Sequence, residues 1–200
     1  MISFLKGTLS EALPTQVVID VNGVGYEVLI PLSSFDKLPS PGGEVKLLTH
    51  LAIRDDAHVL YGFSSETERD LFRQLIRHVT GIGPKIALNV LSGTTPTSFQ
   101  AAVANGDVKA LSGISGVGKK TAERIVVELR DKLGDGIVID SGSGAPISAE
   151  DQKMADAIAA LEALGSKPKA AQEAIRVAIT MLGPDKPVDE LVRAALKKGK

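Results

Sequence analysis

Two Gly-x-Gly phrases are the residues of this chain best suited to chemistry, and the chemistry they suit is the capture of phosphate. Thr80-Gly81-Ile82-Gly83-Pro84-Lys85-Ile86-Ala87 returns 35 residues later as Ser115-Gly116-Val117-Gly118-Lys119-Lys120-Thr121-Ala122. Paired positions are identical or similar except Pro84/Lys119 and Ile86/Thr121, and upstream Ile76 and Val79 answer Leu111 and Ile114. Each copy reads as helix, tight turn, helix. Glycine permits positive φ and close approach of another backbone, and Pro84 suits a first helical turn, where its missing N–H is no loss. The free N–H groups of a helix start carry partial positive charge and make a ready phosphate site. Lys85, Lys119, Lys120 and Arg124 stand at or just after these starts. A helix corner whose glycines merely end the helix need not repeat with its flanks and basic residues; here it does. Two such hairpins about a pseudo-dyad would hold both strands of a duplex across its minor groove, without reading bases. The expected DNA contacts are therefore Gly81, Ile82, Gly83, Lys85, Gly116, Val117, Gly118, Lys119, Lys120 and Arg124.

A second group is Arg54-Asp55-Asp56-Ala57, between two strand-like runs. Asp favours turns, so the plain reading is a polar hairpin tip. The functional reading is a pair of carboxylates, Asp55 and Asp56, pushed towards a polyanion. Two adjacent Asp with no other obvious ligands make a poor metal site. His78, just before the first hairpin, is placed to touch a phosphate, although a lone His there is more often plain surface.

Enzyme chemistry finds little support. Gly113 to Thr121 nearly spells the phosphate loop G-x-x-x-x-G-K-[ST], but Lys120 stands where Ser or Thr must hold Mg²⁺. A short helix, not a buried strand, precedes it, and neither Gly-x-Gly phrase has the third glycine of a dinucleotide fingerprint. With no Cys and three scattered His, nucleophilic catalysis has no evident site. The expectation is a non-catalytic chain with no catalytic residues, no metal and no cofactor.

The elements that must position these residues fall into regions of different charge and period. Residues 1–63 carry four Lys/Arg against seven Asp/Glu, and residues 64–133 carry ten against seven. Only the segment with the repeated phrase is clearly basic, so the electrostatic footprint is local although the whole chain has a formal charge of −1. Residues 1–63 show strand patterning at Ser3–Leu9, Gln16–Val21, Gly25–Ile30, Glu44–Ala52 and His58–Phe63, with Asn22-Gly23 a strong hairpin signal. Five short strands fit a small OB-like barrel. Its rings (Phe4, Tyr26, Phe35, Tyr61, Phe63) read as core rather than as a stacking platform for single strands. From Ser65 the period becomes helical, opened by a capping box with Glu68, and the second hairpin leads into a long helix, Lys119–Leu133, whose Ala122, Ile125, Val126, Leu129 and Leu133 face the core. Residues 134–147 read as a flexible Gly/Ser linker. Residues 148–200 read as three amphipathic helices in a small docking bundle, whose large apolar side chains, Met154, Leu164 and Met181 among them, first serve its own core. No run approaches the ~20 apolar residues needed to span a bilayer, and the first residues lack a signal-peptide pattern, so a soluble cytoplasmic protein is expected.

This order resembles the RuvA family of Holliday-junction-binding subunits. The resemblance covers essentially the whole chain and is carried by Leu71–Leu91, Ser115–Lys132, and Arg54-Asp55-Asp56-Ala57 followed by Leu60-Tyr61-Gly62-Phe63. It implies a multi-domain α+β fold: an OB-like five-stranded barrel over 1–63, a tandem helix-hairpin-helix domain over 64–133, a linker over 134–147 and a UBA-like three-helix bundle over 148–200. It also implies a homotetramer, or an octamer on DNA, whose basic face receives a four-way junction opened into a square. Asp55 and Asp56 fall on the family's acidic pin, where many relatives have Glu at the first position. The last domain would dock on a RuvB-type AAA+ ring ATPase, with a RuvC-type resolvase as a further partner, in recombination, repair and the SOS response. The alternative, from a different class, is a general duplex-binding repair scaffold with no junction preference.

Overall fold

A computed structural model describes residues 1–134, 149–183 and 185–198. The strand-like runs of the first third form Phe4–Leu13 (β1), Gln16–Val21 (β2), Val24–Leu29 (β3), Glu44–Ile53 (β4) and His58–Phe63 (β5). They close a barrel in the order β1-β2-β3-β5-β4. Every joint is antiparallel except β3–β5, which pairs parallel at Val28↔Leu60 and Leu29↔Tyr61. The β2–β3 turn is the one its sequence demands: Asn22 and Gly23 both have positive φ, at 53° and 87°. Asp20 Oδ1 accepts from the Gly23 N–H at 2.7 Å.

Side-chain alternation along β5 joins the barrel to the helices. Leu60 enters the barrel core with Leu9, Ile19, Val28 and Leu47. Gly62 faces the same way, and a Cβ there would come within 2.6 Å of Val28 Cγ1. Tyr61 and Phe63 point to the opposite face and belong to the core of the helical region. The rings are core as read, with Tyr26 and Phe35 against the barrel core and Tyr61 and Phe63 in that of the helices, except Phe4, which is half exposed under the Lys46 ammonium, 5.0 Å from its ring centre.

The helices are Leu32–Phe35 (α1), Glu66–His78 (α2), Pro84–Gly93 (α3), Pro96–Ala104 (α4), Val108–Ser112 (α5) and Lys119–Gly134 (α6). Side-chain caps open three of them: Ser65 accepts from Glu68 N–H, Thr95 from Ser98 N–H and Asp107 from Ala110 N–H. The capping box at Ser65 is only half formed. Glu68 does not return a bond to its own N-cap; its carboxylate reaches one residue further back, to the Ser64 N–H at 3.2 Å. One apolar core runs from Tyr61 and Phe63 through Phe72, Leu75, Val90, Phe99 and Leu111 to Ile125 and Leu129. Barrel and hairpins, each with its own core, lie in one compact unit, joined where Tyr61 and Phe63 enter the helical core. The expected linker lies outside the described residues, as do the side chain of Leu133 and all of Ser148.

The second unit holds Ala149–Ala163 (α7), Pro168–Leu182 (α8) and Val188–Lys198 (α9). Gly165 and Gly183 end the first two at positive φ. Its core is alanine-rich, with Ala157, Ala171, Ala178 and Ala195 around Leu161, Ile175 and Leu191. Small residues let the three helices approach closely. The large side chains expected in that core are partly elsewhere: Met154, Leu164, Met181, Leu182 and Leu196 are exposed.

Candidate nucleic-acid interface

The two Gly-x-Gly phrases form matching turns, between α2 and α3 and between α5 and α6. Positive φ falls on the first glycine of each, Gly81 at 90° and Gly116 at 83°. The second glycine is ordinary extended backbone in the first turn, where Gly83 has φ −96° and ψ 175°. A Cβ at Gly83 or Gly118 would meet nothing within 4 Å. The positive φ that the motif allows therefore falls on Gly81 and Gly116, while Gly83 is an extended entry to its helix and Gly118 has open space around it.

The amides divide in the same way. Ile82 N–H turns back to the Val79 carbonyl and Val117 N–H to that of Ile114. Both side chains are buried, at 5% and 3% exposure. Ile82 and Val117, counted among the expected contacts, thus lock their turns into the core. The first intrahelical bonds run from Ala87 to Gly83 and from Ala122 to Gly118. Ahead of them lie the amides of Lys85 and Ile86 in one copy, and of Lys119, Lys120 and Thr121 in the other, with no earlier carbonyl of the helix to bond. The side chains of Lys85, Lys119, Lys120 and Arg124 are exposed. Geometry and charge make both helix starts suited to an anion.

The first turn is fastened by the second copy's long helix. From α6, Glu128 Oε2 accepts the Thr80 N–H at 2.7 Å, and Arg124 Nη1 donates to the Thr80 carbonyl at 3.4 Å. From α3, Asn89 stands beside the second turn, its Nδ2 3.2 Å from where a Cβ on Gly116 would lie. Asn89 and Arg124 are themselves 35 residues apart. Equivalent positions of the two copies thus stand beside opposite turns, and the hydrogen bonds across fasten the first. Arg124 holds the first turn as well as standing beside it.

Arg54-Asp55-Asp56-Ala57 forms the tip of the β4–β5 hairpin, closed by a bond from Arg54 N–H to the Ala57 carbonyl at 2.9 Å. All four residues are exposed, as is Ile53 at 67%. Between the barrel and α2, Phe72 packs against Tyr61, Phe63 and His50 at ring distances of 5.1, 4.9 and 5.5 Å. Burial, followed by the charges of Arg73 and Arg77, holds the His50 imidazole below its usual range.

The sequence reading missed Glu68 as more than a cap. It is 2% exposed and accepts from the hydroxyls of Ser34 and Ser64, both at 2.8 Å, and from Lys37 Nζ at 3.3 Å. Burial alone would raise its carboxyl; the serine hydroxyls and the Lys37 charge outweigh that and bring it below the ordinary value. Ser34 lies on α1, a single turn too short to show any period, so no signal marked the cluster. Among the described residues no group of three or more acidic, His or Cys side chains is arranged to hold a metal. No described helix is long and apolar enough to cross a membrane.

Comparison with known proteins matches three family models in chain order. They are the RuvA N terminal domain over residues 1–62, a SAM-like helix-hairpin-helix tandem over 72–131, and the RuvA C-terminal domain over 152–198. Full-length relatives include proteins of Chromobacterium violaceum (52% identical over 197 residues, 98% of each chain) and Thioalkalivibrio sulfidiphilus (48% over 201 residues, 98% of each). A third, from Opitutus terrae, is 44% identical over 98% of this chain and 100% of its own. Each bears the name Holliday junction branch migration complex subunit RuvA.

Proposed function

Because the chain belongs to the RuvA family, we propose that it binds four-way DNA junctions without reading their bases, holds them open, and serves a branch-migration complex as its non-catalytic DNA-binding subunit. One observation carries the reading: two helix starts suited to anions, 35 residues apart in sequence, the first tied to the second copy's long helix by Glu128 and Arg124. A pair of that kind grips the two backbones of one duplex arm. Backbone contacts of this type carry affinity without sequence information.

The acidic hairpin supplies the junction preference. In a homotetramer, the Asp55 and Asp56 of every subunit would gather at the crossover. There an open centre accepts them and a continuous backbone does not. An octamer on DNA would cover both faces of the square. The motor is a separate chain, a RuvB-type AAA+ ATPase, because the near-P-loop at Gly113–Thr121 lacks the Mg²⁺-holding hydroxyl. Its docking partner is the second unit. There an apolar groove of about 350 Å³ between α8 and α9, lined by Ala174, Ala178, Met181 and Ala194, offers a surface for an apolar segment. A RuvC-type resolvase is a further partner on the junction, and the cytoplasm is the compartment.

The test is competition between a four-way junction and linear duplex of equal length, followed by mass measurement of the DNA-free and junction-bound species. Preference for the junction by a four-fold species supports the reading. Equal binding of both DNAs would favour the general duplex scaffold instead.

A further inference from the structure

Glu68 is a buried carboxylate that neither the hairpins nor the pin uses, placed at the corner where the pin's strand turns into the first hairpin's helix. The chain from the acidic tip runs down β5, through Ser64 and Ser65, and straight into α2, which ends at the first Gly-x-Gly turn. Six strand residues span ~20 Å, and the thirteen helical residues of α2 another ~20 Å. Pin and hairpin are therefore the far ends of two stiff rods that share one corner. A tilt of about 10° at that corner moves either end by about 3–4 Å.

Two contacts fix the corner. Phe72 packs on Tyr61 and Phe63, which holds the rods together but is apolar and tolerates sliding. Glu68 is directional. Its Oε2 takes the Ser34 hydroxyl, the Ser64 hydroxyl and the Ser64 N–H, while Oε1 takes Lys37 Nζ. Ser34 Oγ in turn accepts the same Ser64 N–H at 2.9 Å. One carboxylate thus ties α2, the end of β5 and the α1 turn of the barrel. A buried ionised group is a weak source of stability, since desolvation offsets its bonds, but a strict one for geometry.

We infer that Glu68, with Ser34 and Ser64 as its partners, is a positioning residue that keeps the acidic hairpin in register with the Gly-x-Gly turns and thereby sets the junction-over-duplex selectivity of the pin. This rests on the junction-binding function proposed for the chain. Loss of the cluster leaves the amides and lysines of each hairpin intact, so duplex grip persists. The placement of Asp55 and Asp56 relative to the DNA that the hairpins hold is the property that fails.

The experiment is a double-mutant cycle in the full chain. Asp55→Asn with Asp56→Asn is made in the wild-type background and again with Glu68→Gln, Ser34→Ala or Lys37→Ala, and each protein is titrated with junction and with duplex. In the wild-type background the pin substitution tightens duplex binding by about tenfold, ~1.4 kcal/mol. With Glu68→Gln or Ser34→Ala that gain falls to about twofold or less, while the salt dependence set by the hairpins is unchanged. A purely structural Glu68 would lower the melting temperature and leave the pin's effect whole, and that result overturns the inference. Should Glu68→Gln not fold, Ser34→Ala and Lys37→Ala read the same cycle. If the pin substitution has no effect even in the wild-type background, the pin reading itself falls and the inference falls with it. A full pin effect that ignores the cluster refutes the inference alone.

Discussion

The Thr80 N–H donates to Glu128 Oε2 at 2.7 Å, so the turn of the first hairpin is fastened by the long helix of the second. At the 35-residue offset, Glu128 corresponds to Gly93, which has no side chain to do the same for the second turn. The clasp is therefore unequal. Glu128→Ala should loosen the first hairpin only, seen as faster amide exchange at Thr80–Gly83 with Ser115–Gly118 unchanged. Equal loosening of both turns would contradict the one-sided clasp.

The turn glycines divide sharply by position. Gly81→Ala and Gly116→Ala place a side chain at positive φ and should each cost about 1–3 kcal/mol, with loss of junction binding beyond that cost as the amides shift. Gly83→Ala and Gly118→Ala add a methyl into open space and should change stability by less than about 0.5 kcal/mol. Thermal melts and junction titrations of the four variants check the ranking. A reversed order would mean that the turns rearrange on DNA.

Salt dependence separates cations that touch phosphate from those that do not. Lys85→Ala, Lys119→Ala and Lys120→Ala should each lower the slope of log affinity against log salt by about 0.9 for every phosphate left without its cation. Arg124→Ala should lower the slope and the melting temperature together, because its guanidinium also holds the Thr80 carbonyl. Unchanged slopes in all four variants would remove the hairpins from the interface.

Much of the fold, and the form of the two Gly-x-Gly turns, was legible in the chain because local signals and tertiary roles agree. The 35-residue repeat marks both turns, Asn22-Gly23 marks its hairpin, and the caps at Ser65 and Asp107 mark their helices. The features that were not legible depend on packing between segments far apart in sequence. Glu68 looks like one half of a capping box, and only Ser34, from a four-residue turn 34 residues earlier, makes it a buried hub. Glycine type says that positive φ is allowed, not which glycine of the pair takes it. The exposure of Met181 and Leu196 follows from a bundle that packs on alanines, so counting large apolar residues misjudged its core.

Two groups at the barrel–helix joint predict a stepped acid response of the first unit. His50 is held below its ordinary value of 6.5, so as pH falls through about 6.5 the unfolded chain takes the proton first and stability begins to drop. Glu68 is held below 4.5. Its contribution is complete above that value and is lost as pH falls from there through the lower folded value. Denaturant melts from pH 8 to 3 should show both windows, with His50→Gln flattening the first and Glu68→Gln the second. A single transition untouched by either variant would show that other groups govern the response.

The tail predicts a separation of activities. A chain ending at Leu133 keeps the barrel and both hairpins and should bind junctions as tightly as the full chain. It should fail to stimulate a RuvB-type ATPase, and so should full-length Met181→Asp or Ala174→Asp, which place charge in the α8–α9 groove. Normal branch migration by the shortened chain would assign motor docking to another surface.

The pin predicts the least intuitive outcome, a gain of binding on loss of charge. Asp55 and Asp56 sit at an exposed hairpin tip whose Arg54–Ala57 bond holds it closed, so both carboxylates present their charge outward. Phosphates of a continuous duplex lying over the tip meet two like charges from each subunit they cross. In 0.15 M salt the screening length is about 8 Å, so only phosphates brought close by the hairpins feel the repulsion in full. A junction opened into a square has no backbone over its centre and escapes most of it. The acids would then supply selectivity by penalising the wrong DNA rather than by attracting the right one. Asp55→Asn with Asp56→Asn keeps the shape and removes the charge. Junction affinity should stay the same or rise slightly, duplex affinity should rise by about tenfold, and the rate of branch migration with the motor should change. The gain should shrink in high salt, since screening already removes in wild type what the substitution removes in the variant. A plain turn predicts no change in any of these. Much weaker junction binding by the folded double variant would mean that the carboxylates accept hydrogen bonds or hold a cation at the crossover, and the repulsive role would be wrong.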